Sequence, residues 1–392
     1  MKKSFMTSLA RLGEKSPVSV SRSKSLPISM TSVFSFDDVE TLDKVYEGEE
    51  KGYVYSRMSN PVHDALKEIM YHIEEGEDAQ VYSSGMAAIT ISLLAHIQSG
   101  DHIIAANVLY GGTYQFLKDE LRKFNVEVTF VDPIQDDIEK YFKENTKIVY
   151  VETISNPLME VIDIEKLSKI AHAHHALLIV DNTFATPVIC QPIHLGADIV
   201  VYSATKYLCG HSDVTGGIVV ANKETIKKIT STGALYGPMM SPFDAWLMVR
   251  SLRTLELRVT QHSHNAMQLA SFLENHDKIK AVYYPGLPSS PFSALANRIF
   301  NDNLCGGMFS IDLAGEEKAA CDLIKKLDSI KFVPSLAGVT TSISYPAKTS
   351  HRAMSQEELK KAGISMGLLR ISTGLENMDD IMEEFSKALS KI

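Results

Sequence analysis

From about residue 60 onward, short apolar runs recur at Ala79–Ser83, His102–Ala106, Val126–Val131, Ile148–Val151, Leu177–Val180, Ile199–Tyr202 and Gly217–Val220. Brief runs rich in Val and Ile, separated by polar and glycine-containing text, read as strands. Most are apolar throughout rather than alternating, as strands covered on both faces must be. Val126–Val131 differs: Glu127 and Thr129 alternate with apolar neighbours, which predicts a half-exposed strand. Between the runs lie stretches of helical period. In Thr113–Phe124 the residues Phe116, Leu117, Leu121 and Phe124 fall on one stripe, and Ile164–His174 forms another. Strands alternating with helices imply right-handed crossovers and a mostly parallel sheet. An α/β domain over residues 56–250 is the expectation.

The pattern changes on either side. Ala245–Ala281 reads as nearly continuous helix, with Trp246, Leu247, Val249, Leu252, Leu255 and Leu257 early in it. Beyond it, Gly307–Leu313 and Leu368–Thr373 are strand-like, while Lys318–Leu327 and Asp379–Leu389 are helix-like, which predicts a smaller α+β domain over 251–392. Residues 1–55 lack strong periodicity. Ser19–Lys24 is Ser/Lys/Arg-rich, Pro27 follows, and Asp37–Glu50 is acidic. Such a segment buries little surface by itself. It reads either as a loose tail or as an arm that orders against something else, such as the interface with a neighbouring subunit.

Composition narrows the function classes. The chain has 392 residues, 45% hydrophobic and 22% charged, which is ordinary globular usage. Its net charge of −9 argues against a nucleic-acid partner, because phosphate backbones call for a basic face. Cys190, Cys209, Cys305 and Cys321 are scattered without metal-type or disulfide spacing, so a reducing cytoplasmic setting is expected. No apolar segment follows the basic start, so a secretory signal is not expected. The longest apolar stretch, Ala87–Ile97, is interrupted by Thr90, Ser92 and His96 and is too short to span a bilayer. A soluble protein with no membrane partner is expected.

No GxGxxG and no GxxxxGK[ST] occurs. The informative text is Asp181-Asn182-Thr183, followed one predicted strand later by Ser203-Ala204-Thr205-Lys206. Both segments end predicted parallel strands, the edge where open α/β sheets place ligands. A carboxylate and a lysine there could form a plain ion pair. However, Ser203 and Thr205 add two hydroxyls, and Ser84-Gly85-Met86 lies between a strand and a helix, where free amides cradle phosphate. A phosphate cradle, a lysine and a strand-end aspartate match the needs of pyridoxal phosphate. The lysine bonds the aldehyde, and the aspartate keeps the ring nitrogen protonated.

Six segments then carry a resemblance: Tyr55–Pro61 (YSRMSNP), Ser84–Ala88 (SGMAA), Tyr110–Thr113 (YGGT), Glu152–Pro157 (ETISNP), Ser203–Gly217 (SATKYLCGHSDVTGG) and Arg370–Glu376 (RISTGLE). From about residue 25 to the C-terminus the chain resembles the Cys/Met-metabolism, or trans-sulfuration, family of pyridoxal-phosphate enzymes. The resemblance implies a type I aminotransferase-like fold and a homotetramer built from two catalytic dimers. It casts Lys206 as the cofactor-bearing lysine and proton shuttle, Asp181 as the ring-nitrogen partner, and Tyr110 as the plate over the ring. Gly85, Met86, Ser203 and Thr205 would hold the phosphate, with Tyr55 and Arg57 reaching the cofactor of the adjacent subunit. Arg370 would grip the substrate α-carboxylate with help from the backbone at Ser335, and Asn156 would meet the ring hydroxyl.

Three departures bear on the substrate. Pro334 stands where cystathionine enzymes of the family usually carry a glutamate, which points to a smaller, less polar substrate. Gly112 stands where methionine γ-lyases typically carry cysteine, and Ala337 and Thr340 replace the commoner Gly and Glu. Elimination on methionine, homocysteine or cystathionine is the expected reaction; γ-replacement on an O-acyl-homoserine is the alternative. An aminotransferase and a non-catalytic scaffold are further readings. Away from these motifs, His172–His175 reads as a solvated helix face, Cys209 as buried packing, and Gly216-Gly217 as close packing beside the lysine loop.

Overall fold

The computed structural model describes residues 21, 23–352 and 354–392; the first twenty residues of the expected arm lie outside the described residues. Seven strands form the main sheet: β1 (Asp78–Tyr82), β2 (His102–Ala106), β3 (Glu127–Val131), β4 (Thr146–Glu152), β5 (Leu177–Asp181), β6 (Ile199–Ser203) and β7 (Gly217–Ala221). Their order is β1-β7-β6-β5-β4-β2-β3, and β7 runs against its neighbours β1 and β6 while the remaining pairs are parallel. The carboxyl ends of β1, β2, β4, β5 and β6 therefore open on one edge, and the amino end of β7 joins them there. Register makes this concrete: Gly217 pairs with both Tyr82 and Ser203, and Glu152 pairs with Asp181.

The apolar runs are covered on both faces, as their lack of alternation requires. The helix Gly85–Leu94 packs on β6 and β7, Pro61–Glu74 and Lys223–Tyr236 pack on β1, and Ile164–Ala173 packs on β5. The alternating strand, β3, is the exception and lies at the sheet edge with Glu127 exposed. A second sheet follows the order β10-β11-β12-β9-β8. It contains β8 (Ile279–Tyr283), β9 (Met308–Leu313), β10 (Lys331–Phe332), β11 (Ser342–Ser344) and β12 (Leu368–Ser372). Helices Leu255–Glu274 and Glu316–Lys326 pack against it.

Two helical expectations are corrected. Ala245–Ala281 is not one helix: Pro242–Leu252 ends at Arg253, Leu255–Glu274 begins after Thr254, and the chain enters β8 at Ile279. The three-residue spacing of Leu252 and Leu255 carries the apolar stripe across the break, so the pattern alone does not show it. The break frees the Ser251 carbonyl, which accepts from Thr254 and Arg258. Thr113–Phe124 is not regular either. It runs from a short helix (Gly111–Gln115) through a widened turn (Phe116–Glu120) into a tight one (Leu121–Phe124). That rotation keeps Leu117 and Leu121 buried but turns Phe124 outward.

The expected arm is tied to its own chain. The Trp246 indole donates to the Leu26 carbonyl at 2.9 Å and Asn60 donates to Ser29 at 3.0 Å. Its acidic stretch forms the helix Val39–Glu47, capped by Asp38, and none of that helix is buried.

Candidate active site

The converging strand ends and the second sheet enclose a cavity of about 240 Å³. It is lined by every candidate residue except Tyr55 and Arg57: Gly85, Met86, Tyr110, Asn156, Asp181, Ser203, Thr205, Lys206, Ser335 and Arg370. Tyr55 and Arg57 lie on a separate groove beside Gly237 and Met239. There the Arg57 guanidinium donates to the Ala234 carbonyl and sits 5.7 Å from the centre of the Tyr55 ring.

Lys206 follows β6 in a loop tied to β7: the Thr205 hydroxyl accepts from the Gly216 amide at 2.9 Å and donates to its carbonyl at 3.3 Å. Among the described residues the Lys206 amine makes no ion pair; it donates to Ser335 Oγ at 3.0 Å. Burial, and then the Arg370 charge, push its pKa down to about 8. Arg258, itself buried, holds the next turn by donating to the carbonyls of Tyr207 (2.8 Å) and Leu208 (3.4 Å).

The helix Gly85–Leu94 opens on the cavity. Ser84 caps it by accepting from Ala87 N at 3.1 Å, and the Gly85 and Met86 amides have no preceding turn to serve. The helix start presses on its neighbours. A Cβ at Gly85 would lie 2.6 Å from Ser203 Cβ, and one at Gly217 would collide with the Ser84 carbonyl. The expected close packing of Gly217 is what the structure contains, and Gly216 is similarly close to Met248 and Met240.

Asp181 is buried at the end of β5 and accepts from the Thr183 amide at 2.9 Å. Beside it in register stands Glu152, also buried, whose Oε1 accepts from the Tyr110 amide at 2.6 Å. Burial, and then the Asp181 charge, raise the Glu152 carboxyl well above the usual range. Burial raises Asp181 too, while Thr183 donors oppose it. Two adjacent buried carboxylates cannot both ionise cheaply, so burial and mutual repulsion favour a protonated form within the pair.

Arg370 reaches in from β12. Its Nη1 donates to Asn156 Oδ1 at 2.8 Å and its Nη2 to the Ser335 carbonyl at 3.4 Å, while the buried Nε has no partner among the described residues. Burial lowers its pKa to about 10, so it remains a cation at neutral pH.

Glu152, Thr183, Ser350 and His351 join the cavity or its rim without a role predicted from the sequence. Glu152 carries the same signal as Asp181, the last residue of a parallel strand, and opens the segment Glu152–Pro157. Ser350 and His351 sit in an irregular segment with no periodic or motif cue. Cys209 is buried, its thiol donates to Asp213 at 3.3 Å, and burial raises its pKa to about 11, as an inert packing thiol requires. Among the described residues no helix is long and apolar enough to cross a membrane.

An orphaned buried guanidinium nitrogen, free helix-start amides, and a lysine without an ion pair among the described residues that lines the same cavity as a buried aspartate fit pyridoxal phosphate and an amino-acid carboxylate. The fold and site define a pyridoxal-phosphate enzyme of the aminotransferase-like type. The family model described as Cys/Met metabolism PLP-dependent enzyme matches residues 6–390. An L-methionine gamma-lyase of Fusobacterium nucleatum subsp. polymorphum is 41% identical over 94% of this chain and 93% of its own. A cystathionine beta-lyase of Lactococcus lactis subsp. cremoris is 42% identical over 94% of both chains. A crystal structure described as an O-acetylhomoserine (thiol)-lyase from Campylobacter jejuni, which holds N'-pyridoxyl-lysine-5'-monophosphate, superposes with a TM-score of 0.90. It is 31% identical and covers 96% of this chain and 97% of its own. The chain belongs to the Cys/Met-metabolism family of pyridoxal-phosphate-dependent enzymes, and its activity class is that of a carbon–sulfur lyase.

Proposed function

We propose that this lyase acts on an amino acid with an apolar thioether side chain, methionine being the type substrate, releasing a thiol, ammonia and a 2-oxo acid. The observation that carries the reading is the Lys206 amine. It is poised in a cavity on a hydroxyl rather than a carboxylate, with a pKa near enough to neutrality to exchange protons. When bound at Lys206, pyridoxal phosphate supplies an electron sink for the charge left at the substrate Cα. The chain's own groups do the rest. Arg370 grips the α-carboxylate, and the amides of Gly85 and Met86 with the Ser203 hydroxyl hold the phosphate, Thr205 being largely engaged by Gly216. Asp181 faces the ring nitrogen and Asn156 the ring hydroxyl. Lys206 would take the proton from Cα, pass it on, and then take one from Cβ, so that the electron pair left there expels the sulfur from Cγ while the Tyr110 hydroxyl protonates the departing sulfur.

The walls favour an apolar side chain. Met86, Ile154, Phe184, Pro334 and Leu336 line the cavity, and Pro334 offers no charge to a distal amino group. Tyr55 and Arg57 are assigned to the cofactor of a second copy in a homotetramer of catalytic dimers. Supporting this, Tyr110 is 43% exposed, and Leu235, Tyr236 and Phe243 are exposed beyond the Arg57 groove. The four cysteines are free, in keeping with a cytoplasmic setting.

The test is a substrate panel scored for thiol and 2-oxo acid together. Methionine should yield both in equal amounts, with cystathionine the poorer substrate. Thioether formed from O-acetylhomoserine and a thiol, without 2-oxobutanoate, would establish γ-replacement instead. Lys206→Ala should abolish turnover and the cofactor's absorbance band.

A further inference from the structure

We propose that Glu152 and His351 clamp the peptide joining Leu109 to Tyr110 from its two sides, and are positioning residues for the Tyr110 ring. The inference rests on the role assigned to Tyr110 above. The amide of that peptide, Tyr110 N–H, donates to Glu152 Oε1 at 2.6 Å. Its carbonyl, Leu109 C=O, meets His351 Nε2 at 3.2 Å. A carbonyl only accepts, so Nε2 carries the ring proton. The other nitrogen, Nδ1, lies 2.9 Å from the Ser350 hydroxyl and accepts from it. One tautomer is thereby selected. Burial, followed by the Arg370 charge, brings the His351 pKa down to about 4, so the ring stays neutral at working pH.

The clamp joins distant parts of the chain. Leu109 and Tyr110 follow β2 in the main sheet and Glu152 ends β4, whereas His351 lies between β11 and β12, in the half of the chain that supplies Arg370. Leu109, Glu152 and His351 are all buried, so each polar group depends on its partner. Tyr110 itself has no such anchor, because its ring is nearly half exposed. Gly111 makes the approach possible: a Cβ there would collide with the Ser350 carbonyl. Holding the peptide sets where the ring stands; releasing it lets the ring wander over the cavity mouth.

The test uses the holoenzyme with His351→Ala, His351→Gln and Glu152→Ala, each alone and combined with Tyr110→Phe. Visible circular dichroism of the bound cofactor reads ring placement independently of turnover. His351→Ala and Glu152→Ala should shrink that signal and lower kcat roughly 10–100-fold with little change in KM. His351→Gln, which can still donate to Leu109, should recover most of both. In the Tyr110→Phe background the same changes should lower kcat little further, because they act through the lost hydroxyl. If His351→Ala does not fold, Ser350→Ala tests the same link through Nδ1 and should also weaken the dichroism. Wild-type dichroism and kcat in His351→Ala, or losses that multiply fully with Tyr110→Phe, would overturn the clamp while leaving the reaction intact. Wild-type turnover in Tyr110→Phe would instead remove the role of Tyr110, and the clamp with it.

Discussion

Arg370 and Asn156, 214 positions apart in the chain, meet through a 2.8 Å hydrogen bond from Nη1 to Oδ1. The bond joins β12 of the second sheet to the loop after β4 of the first, and the buried Nε is left without a partner among the described residues. A planar fork held at one corner presents its remaining donors in a set direction, as carboxylate recognition requires.

Arg370→Lys should therefore raise KM for the amino-acid substrate by roughly 10–100-fold, since a hydrogen bond to a charged group contributes about 1.5–3 kcal/mol. Steady-state kinetics over a range of substrate concentrations reads this directly. An unchanged KM would mean that the carboxylate docks elsewhere.

Reconstitution should depend on pH through Lys206. The amine bonds an aldehyde only when neutral, and the folded protein lowers its pKa to about 8. The rate at which apoprotein regains the cofactor band should climb as pH rises toward 8 and level off above it. A rate that kept climbing to pH 10 would indicate an amine with an ordinary lysine pKa.

Pro334→Glu should shift specificity. A carboxylate at that position faces any distal amino group, so kcat/KM for cystathionine relative to methionine should rise by about tenfold or more. Competition between the two substrates in one vessel gives the ratio.

Gly217→Ala should destabilise the protein and weaken cofactor affinity together. The new Cβ collides with the Ser84 carbonyl, a backbone atom at the helix start, and cannot be relieved by side-chain rotation. Overpacking of this kind costs about 1–3 kcal/mol. Chemical denaturation and cofactor titration measure the two effects separately.

Glu74 predicts the pH dependence of stability. It is fully buried beneath Tyr202, whose hydroxyl donates to it, and desolvation raises its pKa from 4.5 to about 8. A carboxyl with a raised folded pKa binds its proton more tightly when folded. Its contribution is complete below pH 4.5 and declines as pH rises toward 8, by up to about 1.4 kcal/mol per pH unit. Glu74→Gln should flatten the fall in unfolding free energy across that window.

Much of the main sheet was legible because strands covered on both faces must be apolar throughout. His102–Ala106 coincides with β2, and the other six runs differ from their strands by one or two residues at an end. The antiparallel course of β7 was not legible, since a buried strand reads the same in either direction. Nor were β8, β10 and β11. The two-residue β10 and three-residue β11 are too short to show a period, and β8 was absorbed into the apparent helix before it. The corrected helices fail for a related reason, because apolar spacing persists through a break at Thr254 and through a widened turn after Gln115.

Local order alone placed Asp181, Lys206 and Ser84–Met86 on one edge, because parallel strands joined by crossovers must share it. Which residues meet across that edge was decided by the tertiary structure. Glu152 became the partner of Asp181 only through strand register, and Arg370 met Asn156 only when the second sheet docked. His351 reached the Leu109 carbonyl from an irregular segment with no pattern of its own. A chain's periodicity records which face each residue must bury. Contacts between segments more than a hundred residues apart depend on how those faces pack, and no local pattern encodes that.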